Sequence, residues 1–475
     1  MGGLNRYDLI IIGAGPGGYV AAVRAAQLGM KVACIEKEAR LGGVCLNVGC
    51  IPSKALLDSS EYYQLATRHL AEHGIRLGQV ELDLPALMSR KDQVVQELTA
   101  NVSKLLEGNQ VDIIRGTARL TGPVQVTVAA NESEAGAGGE MLLEAQAILL
   151  ATGSESVALP AMPFDGERVV SSTEALAFPA VPAHLGIIGA GYIGLELGSI
   201  WQRLGARVTI IEMLPRIAAT LDGQMARGLE RILTKQGIEF RLQTRVTQTR
   251  ISSDAVELTL ETSGQTEAIR CDRVLVAVGR KPLTRGLGLE ELGVARHPHT
   301  GQVLVDAEYR TNIPTIHAIG DLIAGPMLAH KASAEGIAAV ECLAGLPGEV
   351  NYDAIPAVVY TAPEAAAVGL TEEQVRERGI DYCVGTYPFT GSGRARCMGQ
   401  TDGFAKLIAH RQSDRLLGAH ILGPRAADMI AECVLALEFG ASSEDIARTV
   451  HGHPTFAEAL MEAAMAVRRC SIYAS

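Results

Sequence analysis

Two cysteines stand five positions apart in residues 42–54, which read Gly-Gly-Val-Cys-Leu-Asn-Val-Gly-Cys-Ile-Pro-Ser-Lys. Cys45 and Cys50 are close enough to form a small disulfide ring, and a strained ring is more easily reduced than a structural disulfide. Pro52 suits the first turn of a following helix, whose N-terminus would stabilise a thiolate at Cys50. The segment therefore predicts a redox-active dithiol.

Two other interpretations of this cysteine pair are weaker. A zinc site usually has more closely spaced cysteine pairs and a second pair of ligands, and neither is visible in the sequence. A structural disulfide would be expected among others in a secreted protein. The seven remaining cysteines are scattered, and we expect them to be small buried residues in a reducing compartment: Cys34, Cys271, Cys342, Cys383, Cys397, Cys433 and Cys470.

A second candidate group lies near the C-terminus, where His451-Gly-His453-Pro is followed by Glu458. A histidine with a carboxylate five positions on suits an oriented acid–base catalyst. The two histidines could instead bind a metal ion, but further ligands are not obvious. We therefore favour acid–base chemistry for His453 and Glu458 and predict no metal site.

A nucleotide-binding unit comes before the cysteine pair and would position it. The apolar strand 7–12 leads into Gly13-Ala-Gly15-Pro-Gly17-Gly18, then a helix from Tyr19 and a second strand ending at Glu36. In this fingerprint the glycines make the turn, admit the pyrophosphate and let helix pack on strand. The helix N-terminus then offers amides to phosphate, and Glu36 can accept from ribose hydroxyls.

The same unit returns later in the chain. Gly189-Ala-Gly191-Tyr-Ile-Gly194 follows an apolar strand, and Glu212 lies 23 positions after Gly189, as Glu36 lies 23 after Gly13. Glu212 favours a free 2′-hydroxyl and so predicts NAD over NADP, although Arg207 and Arg216 stand nearby. Two dinucleotide sites and a dithiol suggest an electron relay through nicotinamide, flavin and disulfide.

Three further segments follow short apolar strands. Thr152-Gly153 closes one strand, Gly279 closes its later counterpart, and Asp321 comes directly after Gly320. From its position alone, Asp321 is as compatible with a turn or cap residue as with a partner for a flavin sugar chain. The Gly/Ala/Glu/Ser-rich stretch between Ala129 and Glu140 predicts an exposed hairpin loop.

Length and composition set the wider frame. The 475 residues suggest about three domains at roughly 150 residues each. A net charge of −11 argues against nucleic-acid and anionic-membrane partners. The sequence lacks an apolar run of about 18 residues and a basic leader, so we expect no transmembrane helix, no signal peptide and a cytoplasmic location.

Together and in this order, these motifs resemble the pyridine nucleotide–disulfide oxidoreductases, within them the members that oxidise dihydrolipoamide. The resemblance covers nearly the whole chain and includes the 279–282 turn and Tyr360-Thr-Ala-Pro-Glu. It implies two Rossmann-like dinucleotide-binding domains and a C-terminal α+β dimerisation domain. The implied boundaries are residues 1–153 for FAD binding, 154–281 for NAD binding, 282–350 for a central domain and 351–475 for the interface.

The resemblance also implies roles for single residues. Cys45 would attack the substrate disulfide, Cys50 would face the flavin, and His453 with Glu458 would act as the base from the other subunit of a homodimer. Lys54 would pair with Glu196 beside the flavin, and Asp321 would hold the ribitol chain of FAD.

The cofactors implied are one tightly bound FAD per subunit and NAD⁺/NADH. The partners implied are lipoyl domains of 2-oxoacid dehydrogenase or glycine cleavage complexes.

Three alternatives remain open. Tyr192 resembles the glutathione reductase pattern, so a reductase of another disulfide is the nearest one. A flavin transhydrogenase would not need the Cys45–Cys50 pair, and a scaffold or redox-sensing flavoprotein would not need His453 and Glu458 together.

Overall fold

The computed structural model describes residues 5–130 and 140–473. In these residues the strands are β1 (Asn5–Ile12), β2 (Val32–Glu36), β3 (Asp112–Arg115), β4 (Thr117–Gly122), β5 (Gln125–Ala129), β6 (Glu140–Leu150), β7 (Ser154–Ser156), β8 (Val169–Val170), β9 (His184–Ile188), β10 (Arg207–Ile211), β11 (Ile238–Arg241), β12 (Thr244–Ile251), β13 (Val256–Thr262), β14 (Gln265–Cys271), β15 (Arg273–Val276), β16 (Arg280–Pro282), β17 (Ile316–Ala318), β18 (Ala357–Val359), β19 (Glu364–Gly369), β20 (Tyr382–Pro388), β21 (Phe404–His410) and β22 (Leu416–Gly423).

The α-helices of the same residues are α1 (Pro16–Gln27), α2 (Gly43–Val48), α3 (Cys50–Gln64), α4 (Leu84–Gly108), α5 (Ser172–Ala175), α6 (Tyr192–Arg203), α7 (Gly223–Gln236), α8 (Ala329–Leu343), α9 (Glu372–Glu377), α10 (Gly393–Met398), α11 (Ala426–Glu438), α12 (Ser443–Arg448) and α13 (Glu458–Val467). A short π-helical turn lies at Leu65–His69, and short 3-10 turns lie at Leu70–His73, Gly320–Leu322, Tyr352–Ala354 and Phe389–Gly391.

The described residues form two compact units. The first unit draws on Met1–Ala55, Ala86–Val157 and Gly279–Val350. The second unit draws on Leu56–Pro85, Ala158–Val278 and Asn351–Ser475.

The first unit is built on a seven-stranded sheet in the order β3-β2-β1-β6-β5-β4, with β17 also paired to β6. Strand β1 lies parallel to both β2 and β6, which is the arrangement that a βαβ crossover requires. Its centre, from Leu9 to Ile12, is buried on both faces because helices cover a parallel sheet on both sides. The fingerprint loop therefore projects from the carboxyl end of a central strand.

The second unit contains three sheets. The order β11-β10-β9-β15-β8 is parallel throughout and repeats the βαβ arrangement with β9, α6 and β10. A three-stranded antiparallel sheet has the order β12-β13-β14, and a five-stranded antiparallel sheet has the order β18-β19-β22-β21-β20. Helices α11 and α13 pack on this last sheet and close the apolar core of residues 366–467.

A buried ion cluster in the second unit joins the start of α7 to strand β21 of the five-stranded antiparallel sheet. The Lys406 Nζ lies 3.0 Å from Asp222 Oδ2 and 2.6 Å from Glu372 Oε2, and Lys406 and Asp222 are both fully buried. Asp222 also caps α7 by accepting from the Gln224 amide. Burial opposes ionisation of Asp222, but the charges of His420 and Lys406 outweigh it and lower the pKa of this carboxyl.

The predicted fold class is confirmed: a mixed α/β chain with two dinucleotide-type parallel sheets and a C-terminal α+β region. Helix α1 begins at Pro16, three residues before the start that the sequence predicted. Ala129 pairs with Glu140 across β5 and β6, whereas the loop predicted between them lies outside the described residues. No helix among the described residues is both long and apolar enough to span a bilayer.

The expectation that the seven scattered cysteines are buried is wrong for two of them. Cys34, Cys271 and Cys433 are buried, and burial raises their pKa values, to about 12 for Cys34 and Cys271. Cys397 and Cys470 are exposed: Cys397 lies in the last turn of α10, and Cys470 lies just beyond the end of α13.

Candidate active site

The cysteine segment is shaped by glycines and packs on the first nucleotide loop. Cys45 lies in α2, and Cys50 is the first residue of α3, with Gly49 between the helices. A Cβ on Gly49 would lie 2.8 Å from the Val44 carbonyl oxygen, so the link between the helices excludes larger residues.

The contact between this segment and the loop is made by backbone. The Gly42 amide donates to the Ala14 carbonyl at 2.8 Å, and a Cβ on Gly43 would lie 2.7 Å from the Gly15 Cα. Such a close approach needs glycine at position 43. It fixes the dithiol segment directly against the loop that would hold a pyrophosphate.

The two thiols interact with each other. Cys45 hydrogen-bonds to Cys50, and this bond, burial and the charge of Cys50 together raise the pKa of the Cys45 thiol well above its usual range. Lys54, one helical turn after Cys50, acts in the opposite direction on the same pKa. The Cys45 thiol therefore keeps its proton in the reduced pair, and the hydrogen bond ties the two sulfurs together.

Tyr19 is a neighbour of this pair that the sequence did not single out as a site residue. It lies on α1, one turn into the fingerprint helix, and packs against the core with Cys45. Burial, and then the charge of Cys45, raises the pKa of its phenol. Tyr19 therefore donates rather than ionises near neutral pH.

The first nucleotide loop leaves one face open for a ligand. A Cβ on Gly13 would lie 2.5 Å from the Ala151 carbonyl oxygen, and one on Gly18 would lie 1.8 Å from the Gly13 oxygen. At Gly15 a Cβ would meet nothing nearer than 3.8 Å. Gly15 is also the N-cap of α1 and makes no side-chain cap bond, so the first amides of α1 are available to an anion.

The second loop repeats this geometry. A Cβ on Gly189 would lie 2.5 Å from the Ala277 oxygen, one on Gly194 would lie 2.1 Å from the Gly189 oxygen, and Gly191 has open space around it. Helix α6 likewise begins after a glycine without a side-chain cap. Both loops fit a dinucleotide pyrophosphate by the same construction.

Glu36 and Glu212, which lie at the same spacing after the two glycine loops, have a second role that the sequence did not reveal. Glu36 accepts from the amides of Ala14 and Glu38 at 2.9 and 3.0 Å. Glu212 accepts from Ala190 and Leu214, both at 2.8 Å. Each carboxylate therefore holds its loop closed, and its remaining lone pairs can still accept from ribose hydroxyls.

The two arginines near Glu212 are engaged elsewhere. The guanidinium of Arg207 pairs with Glu239 at 3.0 Å, and that of Arg216 donates to the Ala219 carbonyl at 2.8 Å. Tyr192 lies at the start of α6, where its hydroxyl is 3.1 Å from Thr220 Oγ1 and burial raises the pKa of its phenol. The structure thus gives these arginines partners other than a 2′-phosphate.

Three strand-end residues within the first unit are held by hydrogen bonds that involve the backbone. Thr152 donates to the Leu283 carbonyl at 2.7 Å, and the Leu283 amide donates to Gly153, whose φ is +71°. Gly279, with φ +129°, accepts from the Val157 amide at 3.1 Å.

Asp321 is held by a network that the sequence did not predict. Ser154 donates from its hydroxyl to Asp321 Oδ2 at 2.5 Å, and Arg280 donates to that hydroxyl at 2.8 Å and to the Ser154 carbonyl at 2.6 Å. Burial lowers the pKa of Arg280, while the charges of Asp321 and Cys50 act against that change. Arg280 therefore lies within electrostatic reach of both the dithiol and Asp321.

The histidine–glutamate pair forms as the sequence suggests, in the second unit. His453 Nδ1 lies 2.8 Å from Glu458 Oε1, and Glu458 Oε2 accepts from the Thr455 amide at 2.7 Å. Burial opposes ionisation of Glu458, but the hydrogen bond from His453 and that from Thr455 lower its pKa. The carboxylate fixes the proton on Nδ1, so Nε2 is the basic atom of an imidazole that is 79% exposed.

His451 points elsewhere, which counts against metal binding by the two histidines. Its Nδ1 lies 2.8 Å from the Thr449 carbonyl and its Nε2 lies 2.9 Å from Glu432, with a side chain only 5% exposed. Across residues 5–130 and 140–473, no three metal-ligating side chains come together.

The sequence predicts that Lys54 pairs with Glu196. Lys54 lies on α3, one turn after Cys50, and Glu196 is buried on α6, where it accepts from the Tyr360 amide at 3.0 Å. Their pairing stays a prediction.

Comparison with known proteins places this geometry in context. A family model described as pyridine nucleotide-disulphide oxidoreductase matches residues 7–336, and the dimerisation domain of the same family matches residues 355–464. The chain is 47% identical to "Dihydrolipoyl dehydrogenase, mitochondrial" of Pisum sativum over 98% of this chain and 92% of that protein. It is also 47% identical to "Leghemoglobin reductase" of Glycine max, over 98% and 88%. The HOCl-induced flavoprotein disulfide reductase RclA of Escherichia coli superposes with a TM-score of 0.84 at 29% identity, over 96% and 99% of the two chains.

Proposed function

The chain belongs to the pyridine nucleotide-disulphide oxidoreductase family, and from that premise we propose that it oxidises dihydrolipoamide to lipoamide with NAD⁺ as the final electron acceptor. One observation carries the proposal: the Cys45–Cys50 segment packs by backbone on the first nucleotide loop. A dithiol placed there can exchange electrons with a dinucleotide cofactor without moving.

The first loop fits FAD and the second fits NAD. FAD would be held tightly, one per subunit, by the α1 amides, Glu36 and Asp321, with Gly13, Gly15, Gly17, Gly18, Lys54, Thr152, Gly153 and Gly279 around it. NAD⁺ would be held by the α6 amides, Gly189, Gly191, Gly194 and Glu212. When bound, FAD supplies two-electron redox chemistry between the dithiol and the nicotinamide.

The chain's own residues supply the proton and thiol chemistry. His453 Nε2 takes a proton from one thiol of dihydrolipoamide, and Glu458 stabilises the resulting imidazolium. The substrate thiolate attacks the Cys45 sulfur of the oxidised pair, forming a mixed disulfide and releasing Cys50 as the thiolate. The second substrate thiol then displaces Cys45, so that lipoamide leaves and two electrons remain in the reduced pair.

The different environments of the two sulfurs fit these roles. In the reduced pair the hydrogen bond to Cys50 and burial raise the pKa of Cys45, while the nearby Lys54 acts against this rise. His453 returns its proton to the Cys45 sulfur as it leaves the mixed disulfide, which offsets the poor leaving ability of a thiol with a raised pKa. We further propose that Lys54 pairs with Glu196 and that this pair lies beside the flavin.

The match of residues 355–464 to the family's dimerisation domain supports a homodimer. We propose that His453 and Glu458 act on the dithiol of the partner subunit, which agrees with the high exposure of His453 in the single chain. We also propose that lipoyl domains of 2-oxoacid dehydrogenase or glycine cleavage complexes deliver the substrate. The cytoplasmic location and the boundaries 1–153, 154–281, 282–350 and 351–475 stay predictions.

Identity alone does not select the substrate, because proteins with two different names share the same 47% with this chain. A direct test mixes the purified holoenzyme with dihydrolipoamide and NAD⁺ and follows NADH at 340 nm. Parallel reactions use reduced glutathione as the thiol, NADP⁺ as the acceptor, or NADH with ferric leghemoglobin. Fast NADH formation with dihydrolipoamide and NAD⁺ supports the proposal, and faster turnover in any parallel reaction contradicts it.

A further inference from the structure

Helix α8 carries an ion pair that is completely enclosed by protein. Lys331 Nζ lies 2.9 Å from Glu335 Oε1, and both side chains have zero exposure. Removing two charges from water costs more than their attraction returns in many proteins, and apolar replacement of such pairs is often neutral or stabilising. Stability of α8 is therefore a poor explanation for this pair.

Both charges contact the same residue of the neighbouring turn. Glu335 Oε2 accepts from the Gly320 amide at 2.8 Å, and Lys331 Nζ donates to the Gly320 carbonyl at 3.1 Å. Gly320 has φ +70°, and a Cβ there would lie 3.1 Å from the Ala332 Cβ of the same helix. The pair thus fixes both polar groups of the residue that directly precedes Asp321.

The same helix also contacts the fingerprint helix. A Cβ on Gly17 would lie 3.0 Å from the Ala332 carbonyl oxygen, and one on Gly336 would lie 2.6 Å from the Gly17 oxygen. Helix α8 therefore touches α1 at its first turns and the Gly320–Asp321 turn along one face. It sets the separation between the anion-binding end of α1 and the Asp321 carboxylate.

We propose that Lys331 and Glu335 are positioning residues for FAD: they hold the Gly320 peptide so that Asp321 stays at a fixed distance from the pyrophosphate-binding turn of α1. This rests on the proposed binding of FAD at the first loop. The direction of the pair matters, since the acceptor must face the Gly320 amide and the donor must face its carbonyl.

Two double variants separate positioning from simple stability. Lys331→Met with Glu335→Leu removes both charges and keeps the volume. It leaves the Gly320 amide without its Glu335 partner, and the Gly320 carbonyl keeps only the Ile323 amide at 3.2 Å. Lys331→Glu with Glu335→Lys keeps the ion pair but presents a donor to the amide and an acceptor to the carbonyl. The matched control is Glu341→Gln, which alters a more exposed ion pair between Glu341, also on α8, and Arg24 of α1.

The measurement is the rate at which the purified holoenzyme releases FAD on dilution, followed by the rise in flavin fluorescence. A buried peptide group without its partner changes an equilibrium by about tenfold or more, so we expect both double variants to release FAD at least about tenfold faster. Far-UV circular dichroism and emission of Trp201, the only tryptophan, report whether the fold is intact. Glu341→Gln should release FAD at the wild-type rate.

Wild-type release rates in the Met/Leu variant would overturn the inference, as would a charge-reversed pair that retains FAD normally. If a double variant fails to fold, Glu335→Gln keeps the shape but loses the charge that pairs with Lys331. It should release FAD faster than Glu341→Gln, and equal rates would also overturn the inference. Failure of the proposed substrate has a different signature, because wild type would then hold FAD but not oxidise dihydrolipoamide.

Discussion

Replacing Glu458 with Gln tests the assignment of the base with the smallest change in shape. Glu458 now accepts from His453 Nδ1 at 2.8 Å and from the Thr455 amide at 2.7 Å. A glutamine can keep its oxygen on Thr455 only by turning its NH₂ group toward Nδ1. The ring would then carry its proton on Nε2, where the mechanism needs a base.

The expected loss follows from that geometry. A hydrogen bond to a charged group contributes about 1.5–3 kcal/mol, and about 1.4 kcal/mol corresponds to a tenfold change. Loss of the ionic bond should therefore lower the rate about 10- to 100-fold, and the reversed tautomer should bring the total to about 100-fold or more. The complete range for general acid–base work, about 10²–10⁴, should be reached by His453→Gln.

The assay compares two half-reactions of the same preparation. Turnover of dihydrolipoamide with NAD⁺ should fall in Glu458→Gln, whereas bleaching of the flavin by NADH should proceed at the wild-type rate because it needs no thiol proton transfer. Glu444→Gln removes the same charge from an exposed pair with Arg448 on α12 and should leave both reactions unchanged. Unaltered dihydrolipoamide turnover in Glu458→Gln would refute the reasoning.

Three further predictions concern other parts of the molecule. Cys45→Ser should give a coloured flavoprotein without dihydrolipoamide turnover, and full turnover would remove Cys45 from the mechanism. Glu212→Ala should raise the KM for NAD⁺ about tenfold by loosening the second loop and should increase the relative use of NADP⁺; an unchanged ratio of the two kcat/KM values would contradict the ribose assignment. Lys406→Met should lower stability by about 3–5 kcal/mol because it strands the buried Asp222 charge. The pKa of Asp222 is lowered in the folded protein, so the Asp222 charge stabilises the fold above the ordinary carboxyl pKa, and this stabilisation is lost as pH falls through the lowered pKa. Thermal midpoints measured between pH 7 and 3 should therefore fall less in the variant than in wild type.

Local motifs could be predicted from the sequence because their geometry is set by neighbouring residues. The glycine loops, the strands on either side and the equal spacing of Glu36 and Glu212 all follow from βαβ units, and the structure forms both. The His453–Glu458 contact was predictable for the same reason, since it spans five residues.

Contacts between distant segments could not be predicted in this way. The network links Ser154 to Arg280, 126 residues away, and to Asp321, 167 residues away, and the composition of those segments gives no sign of it. In the sequence Lys331 also resembles a surface lysine of a helix, and only its contact with the distant Gly320 turn accounts for its burial. In the same way, His451 and His453 lie two positions apart in the sequence, but their side chains contact different residues.

The central claim is that the Cys45–Cys50 pair is the group that dihydrolipoamide reduces. The most direct measurement adds one equivalent of dihydrolipoamide per subunit to the oxidised holoenzyme without NAD⁺ and without oxygen. The mixture is quenched in denaturant with N-ethylmaleimide, and the peptides are weighed by mass spectrometry. The account predicts one equivalent of lipoamide and two new maleimide adducts on the peptide of residues 42–54, with Cys397 and Cys470 labelled equally before and after. No lipoamide, or new adducts on any other cysteine, would contradict it.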